Sequence, residues 1–243
     1  MTKTLIYLKI LFAVACSQCF AFEAKPNSTI STFVEVRKYQ YDEPDIMSKY
    51  SDLPLFGLGI DYFAPMNTGQ LHTRIKYSTG MTDYSSKNTG KTYDDITHVF
   101  TLESVYALNV EKFQLFSGIG YRWLYDDWGG KTSTTGHSTY DRRSRYLYVP
   151  IGFSYRNRSN RIISTQLNVL VSGNQKSYLG AVSNAGDISK DQNAGYGLSV
   201  NYKLNESIHF FSEYWDIERS ETVQGYYEPQ NETFETGIRF YLR

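Results

Sequence analysis

Two aspartate pairs, Asp94-Asp95 and Asp126-Asp127, stand in polar stretches of the chain, with His98, His137 and Asp141 nearby in sequence. Adjacent carboxylates share protons unequally, and a carboxylate beside a histidine orients the ring as a base. Such a set activates water for peptide hydrolysis. A lipid-facing histidine with a serine would instead suit acyl-chain chemistry. His98 has that parity, but no serine partner is specified. His72 and His209 fall at strand positions that turn inward and are expected to join an internal network. No HExxH run, closely spaced histidine cluster or calcium-loop pattern occurs, so no metal ligand is assigned. Catalytic and cofactor-binding residues are likewise assigned to none, and no cofactor is expected.

Composition narrows the class. The chain has 243 residues, 25 Lys and Arg against 25 Asp and Glu, and 41% hydrophobic residues. Zero formal charge excludes a nucleic-acid binder of the basic kind, and no acidic or basic tail is present. Aromatic content is high, at 16% with 22 Tyr and 14 Phe. Tyrosine joins an apolar body to a polar tip, which suits the two boundaries of a bilayer.

Residues 1–21 read as a secretory signal: Lys3 gives a positive start, 5–15 an apolar core interrupted by Lys9, and Cys19-Phe20-Ala21 a small-x-small cleavage site. The apolar run is shorter than the roughly 20 residues of a spanning helix. The expected division is therefore 1–21 signal peptide and 22–243 barrel. Cys16 and Cys19 both lie inside the signal. The mature chain is then expected to lack disulfides, thiolate metal sites and a cysteine nucleophile.

The elements available to position any chemistry are strands. In KFQLFSGIGYRW, residues 112–123, Phe113, Leu115, Ile119, Tyr121 and Trp123 alternate with Gln114, Gly118, Gly120 and Arg122. That period of two marks a strand with unlike faces. Further segments are read at 30–39, 53–63, 71–77, 96–107, 146–155, 163–171, 196–203, 208–217 and 234–242. Short connections at 64–70, 108–111, 157–161 and 204–207 alternate with longer ones at 40–52, 78–95, 124–145, 172–194 and 218–233. Short periplasmic turns and long extracellular loops are the rhythm of membrane barrels, whose strand number in single-chain bacterial examples is even. The fold class is thus all-β, a closed antiparallel transmembrane barrel of ten strands, with eight as the alternative count. Its expected location is a Gram-negative outer membrane.

With the apolar face toward lipid, Glu35, Arg37, Asp61, Arg74, Lys76, Glu103, Arg122, Lys203, Glu213, Glu235 and Arg239 point inward. Both signs are represented, so a self-neutralising network is feasible. Pro150, Phe116, Tyr148, Phe211 and Trp215 add bulk, and inward glycines at 57, 59, 118, 120, 152, 197 and 237 relieve crowding. The bore is expected to be plugged. Tyr41, Phe63, Trp123, Tyr125, Trp128, Tyr155, Tyr202 and Tyr214 are read as interfacial girdles.

Two resemblances follow from these residues. The rim carboxylates and histidines resemble the general arrangement of the omptin proteases, which are also ten-stranded barrels, although no omptin catalytic run is present. Glu235, Gly237, Phe240 and Leu242 in the last strand resemble the terminal β-signal of outer-membrane proteins, and RYLYVPIGFSY at 145–155 resembles a strand of small Gram-negative outer-membrane barrels. The departure is Leu242 in place of a terminal aromatic, with Arg243 after it. This resemblance implies membership of the outer membrane protein β-barrel domain class, with no assigned activity. It implies partners in outer-membrane lipid, lipopolysaccharide and, through the last strand, the barrel-assembly machinery. A structural or surface-interaction role through the loops, without catalysis, is expected, with a low-conductance porin-like channel and a rim enzyme (omptin-like protease or lipid A-modifying) as the alternatives. An extracellular ligand is not identified by the sequence.

Overall fold

The computed structural model describes residues 28–182, 186–222 and 225–242; the expected signal at 1–21 lies outside them. Twelve strands run in chain order: β1 Thr29–Glu43, β2 Met47–Tyr50, β3 Leu55–Pro65, β4 Gly69–Ser86, β5 Gly90–Val110, β6 Phe113–Asp127, β7 Arg142–Arg156, β8 Ile162–Ser177, β9 Ile188–Asp191, β10 Gly195–Lys203, β11 Ile208–Ile217 and β12 Asn231–Leu242. Every pairing is antiparallel, and the sheet closes where β12 meets β1, from Thr32 opposite Leu242 to Asp42 opposite Glu232. Closure removes the two free edges that an open sheet would expose to hydrocarbon.

The twelve strands make ten staves. β2 and β3 both lie between β1 and β4, and form one stave broken at 51–54. Pro54 lacks the N–H that a continuous ladder needs. The break is pinned by Ser51, whose N–H donates to the Tyr39 carbonyl and whose Oγ accepts from the Tyr39 N–H, both at 2.9 Å. β9 and β10 both pair with β8, with the interruption at 192–194, and β10 also pairs with β11. The ten-strand expectation therefore stands. The 96–107 segment, whose blurred pattern left eight as an alternative, lies inside β5, at 21 residues the longest strand.

Strand ends differ from the sequence expectation on one side. The segments 40–52 and 78–95, read as long loops, are largely wall: β1 continues to Glu43, β4 to Ser86, and β5 begins at Gly90. A crossing needs only about 9–11 residues, so β4 and β5 project well beyond the bilayer. Outside it both faces of a strand meet water or polar packing, and the two-residue alternation fades while the hydrogen-bond ladder continues. Four short turns, at 66–68, 111–112, 157–161 and 204–207, lie at the other end.

The outer surface carries the apolar set, including Phe56, Leu58, Ile60, Ile75, Leu102, Leu115, Ile151, Leu167, Val200 and Phe240, all exposed. The interior carries the polar set. Inward glycines accept the aromatic rings: a Cβ at Gly59 would coincide with the Phe33 ring, at Gly120 with Tyr148, at Gly152 with Phe116, and at Gly197 with the Trp215 indole. Large rings thus lie flat on bare backbone across a narrow bore. Gly120→Val is expected to dislodge Tyr148 and to cost about 1–3 kcal/mol, the usual range for overpacking. Urea unfolding of the refolded barrel, monitored by tryptophan fluorescence, measures it.

Candidate functional site

The alternation that gives each strand one polar face sets eight charges at mid-depth in the bore: Glu35, Glu103, Glu213 and Glu235 against Arg37, Lys76, Arg122 and Arg239. Arg37, between Glu35 and Glu235, is ion-paired to both, and all three are at most 1% exposed. Glu235 also accepts from Arg122 at 2.5 Å. Arg239 donates to Glu35 at 3.1 Å, to Glu213 at 3.4 Å and to Asn201 at 2.7 Å, and Lys76 reaches Glu213 at 2.5 Å. Glu103 accepts from the Tyr148 hydroxyl at 3.1 Å and from Gln166 at 2.7 Å. Aromatic faces close the gaps: Arg239 lies 4.1 Å from the Phe211 ring centroid and Arg122 5.1 Å from that of Trp215. The pairing runs between residues as far apart as 35 and 239, so it ties first strand to last.

A second layer fills the half of the bore at the long-loop end. Asp126 pairs with Lys49 and with Arg142 at 3.1 Å, and Arg142 also pairs with Glu43. Tyr41 and Trp128 cover these cations, with Arg142 4.5 Å from the Tyr41 centroid and Lys49 5.2 Å from that of Trp128. Neither aromatic is a girdle residue. Both are buried inside the barrel, because the wall there has left the bilayer and its inner face still needs filling. Phe63 also turns inward, stacking on His72 at 4.3 Å.

At the opposite mouth Asp61 accepts from Arg74 through Nε at 2.7 Å and Nη2 at 2.9 Å, from His72 Nε2 at 2.9 Å and from the Tyr241 hydroxyl at 2.6 Å. Beside the mid-depth charges, on the side of Arg74, lies a cavity of about 40 Å³ lined by Arg74, Lys76, Glu103, Arg122, Tyr148 and Glu213 among others. That is room for about three water molecules. Of the eleven residues expected to face inward, Lys203 sits at the rim of the short-turn end, bonded to Glu206 at 2.6 Å; the other ten belong to these layers or to the Asp61 cluster.

The rim residues are brought together with other partners. Asp95 is buried, paired with Lys131 at 2.8 Å and bonded by Thr92. Asp126 is spent on Lys49 and Arg142. Asp141 caps a turn, accepting from the N–H groups of Trp128 at 3.0 Å and Gly129 at 2.6 Å and from the Tyr125 hydroxyl at 2.8 Å. His98 faces outward and bonds the Tyr77 hydroxyl at 2.6 Å, while His137 bonds Thr135 at 3.0 Å. Asp94 and Asp127 are exposed. The histidine that does meet a carboxylate is His72, at the far end of the barrel, where its inward parity was the available signal.

Sequence reasoning missed Glu228. It lies in the connection between β11 and β12, whose described residues 218–222 and 225–230 fold across the mouth: its N–H donates to Ser220 Oγ at 2.8 Å, and its carboxylate accepts from Gln175 at 2.6 Å and Ser177 at 3.4 Å. Gln192 donates to the carbonyls of Glu218 at 3.3 Å and Pro229 at 3.0 Å. Burial pushes the Glu228 carboxyl above its usual range, with Glu43 adding repulsion and Arg142 opposing it.

No protein-family model and no curated protein matches the chain by sequence. Among solved structures, it is similar to the outer membrane protease OmpT from Escherichia coli, with a TM-score of 0.52 and 11% identity over 88% of this chain and 96% of that one. The translocator domain of the autotransporter NalP from Neisseria meningitidis follows at 0.41 and 11%, covering 98% and 96%. The attachment invasion locus protein Ail of Yersinia pestis gives 0.36 and 11%, covering 90% and 100%. The likeness is one of fold: the chain is a closed ten-strand antiparallel β-barrel of the kind that the outer membrane protease forms.

A carboxyl whose pKa is raised by folding favours the folded state while it is protonated, and that contribution is lost as pH rises through the raised value. The 218–230 connection is therefore expected to dock more tightly at about pH 4 than at about pH 8. Hydrogen exchange of its backbone amides should show the difference, and Glu228→Gln should remove it.

Proposed function

We propose that the protein is a sealed outer-membrane barrel with a structural or surface-interaction role, carried by the projecting collar and loops of its extracellular end. The observation that supports this most directly is the stack of ion pairs and rings across the bore, from Asp61 through Glu35–Arg37–Glu235 to Arg142. A barrel of this strand number leaves an interior that side chains can fill, whereas aqueous channels need roughly sixteen strands or more. The cavity beside the mid-depth charges, about 40 Å³ and lined by paired charges, supports a sealed bore at that depth.

The proposed partners are the surrounding outer-membrane lipid and lipopolysaccharide, the assembly machinery reading Glu235, Gly237, Phe240 and Leu242 on β12, and an extracellular ligand at the collar. Residues 1–21 are proposed to be removed on export, leaving 22–243 as the barrel. A rim protease or lipid A-modifying enzyme is disfavoured by the engagement of Asp95, Asp126 and Asp141 with cations, hydroxyls and N–H groups, and among the described residues His98 and His137 bond Tyr77 and Thr135 rather than a carboxylate.

Refolded protein in planar bilayers is expected to give no reproducible unitary conductance. Steps of constant size in the wild type would reject the sealed reading in favour of a channel. Arg37→Met strands Glu35 and Glu235 without their shared partner and is expected to cost about 3–5 kcal/mol, measured by denaturant unfolding in detergent. Hydrolysis of a peptide or lipid A substrate that disappears on Asp95→Asn or His98→Ala would instead establish the enzyme reading.

A further inference from the structure

We infer that the outward face of β7 and β8, at the extracellular edge of the apolar belt, binds the phosphate groups of an anionic lipid in the surrounding leaflet. This rests on the proposed orientation, with the collar outside and the belt in the bilayer. On β7 the outward row reads Tyr155, Phe153, Ile151, Val149, Leu147, then Arg145 and Arg143. At a rise of about 3.3 Å per residue, the apolar part from Tyr155 to Leu147 spans about 26 Å along the strand. A tilt of 35–45° reduces this to about 20 Å, near the height of a barrel's apolar band. Arg145 therefore lies at the boundary, and Arg143 a few ångströms beyond it.

The neighbouring strands complete a compact patch. Trp123 stands opposite Arg145, and Tyr125 opposite Arg143, on β6. Their rings stack at 5.7 Å and 1° between planes. On the other side, Asn174 faces Arg145 and Lys176 faces Arg143. The Lys176 ammonium lies 4.4 Å from the Tyr178 ring centroid, and Arg143 lies 5.9 Å from it.

Both signs of charge occur at this rim, and their pairing is selective. Lys176 has a partner in Asp187 at 2.8 Å, and Asp191 accepts from Asn174 at 3.0 Å. Among the described residues, neither Arg143 nor Arg145 has an ion-pair partner; Arg145 makes a 3.4 Å contact with Asn174. On β11, β12 and β1 the corresponding outward row is acidic, with Asp216 opposite Glu232 and Glu232 opposite Asp42. Like charges in register cost stability, so solubility alone does not explain why the two free guanidinium groups lie together elsewhere. Two planar forks side by side suit phosphate oxygens. Leu147 and Val149 directly below supply a wall for acyl chains, which favours a lipid phosphate over a free one.

The test uses the refolded chain in phosphatidylcholine nanodiscs doped with diphosphorylated lipid A or with its dephosphorylated form of identical acyl chains. Protease protection of the belt confirms insertion first, and failure to insert would overturn the membrane orientation itself. For inserted protein, retention of lipid A in native mass spectrometry is expected to favour the diphosphorylated form about tenfold, about the effect of one or two basic contacts with an anionic surface. Arg143→Gln with Arg145→Gln should abolish that preference, Arg143→Lys with Arg145→Lys should keep most of it, and Lys38→Gln should leave it unchanged. Equal retention of the two lipids, or an unaltered preference in the glutamine double variant, would overturn the proposal. Competition by millimolar inorganic phosphate would overturn the commitment to a lipid.

Discussion

Every peptide N–H and C=O that crosses hydrocarbon must find its partner within the protein, because an unpaired group there costs several kcal/mol. The seam between β1 and β12 is where this chain meets that constraint. Eleven consecutive positions, from Thr32 to Asp42, pair with the last strand, so the wall exists only once both ends of the chain have arrived. Alternation then follows as a consequence. A closed wall has one face in lipid and one in a bore only a few side chains wide, and each strand must satisfy both.

The bore reflects the same economy. Lipid-facing positions take the apolar residues, leaving charges and large rings for the interior, where charges must be paired and rings need space. Arg37 between Glu35 and Glu235, and Arg239 between Glu35 and Glu213, answer the first requirement. The glycines beneath Phe33, Tyr148 and Trp215 answer the second. The core of this barrel is thus electrostatic and aromatic, with the aliphatic residues on the outside.

Much of this was legible because the period of two reports faces directly. It placed Glu35, Arg37, Asp61, Arg122, Glu235 and Arg239 inside, and it gave ten strands. It became silent above the bilayer, where the first residues of the strand Gly90–Val110, up to Asp95, carry polar residues on both sides and read as a loop. Tyr41 and Trp128 were misplaced for a related reason: an aromatic at a strand end looks the same whether it meets a lipid headgroup or covers Arg142. The partners of Asp95 and Asp126 depend on register between strands and on the path of the loop at 128–141, neither of which is written in local pattern. Glu228 was hidden because a lone glutamate in a connection resembles any solvated surface residue.

The two broken staves have a structural meaning of their own. Both interruptions, at 51–54 and 192–194, fall where the lipid-facing wall gives way to the collar. A continuous strand transmits a one-residue insertion along its whole length and exchanges its two faces. A break absorbs it. On these two staves the collar can therefore gain, lose or exchange residues while Phe56 and Leu198 keep facing lipid, and variation of the cell-exposed part is uncoupled from the integrity of the part that must remain in the membrane.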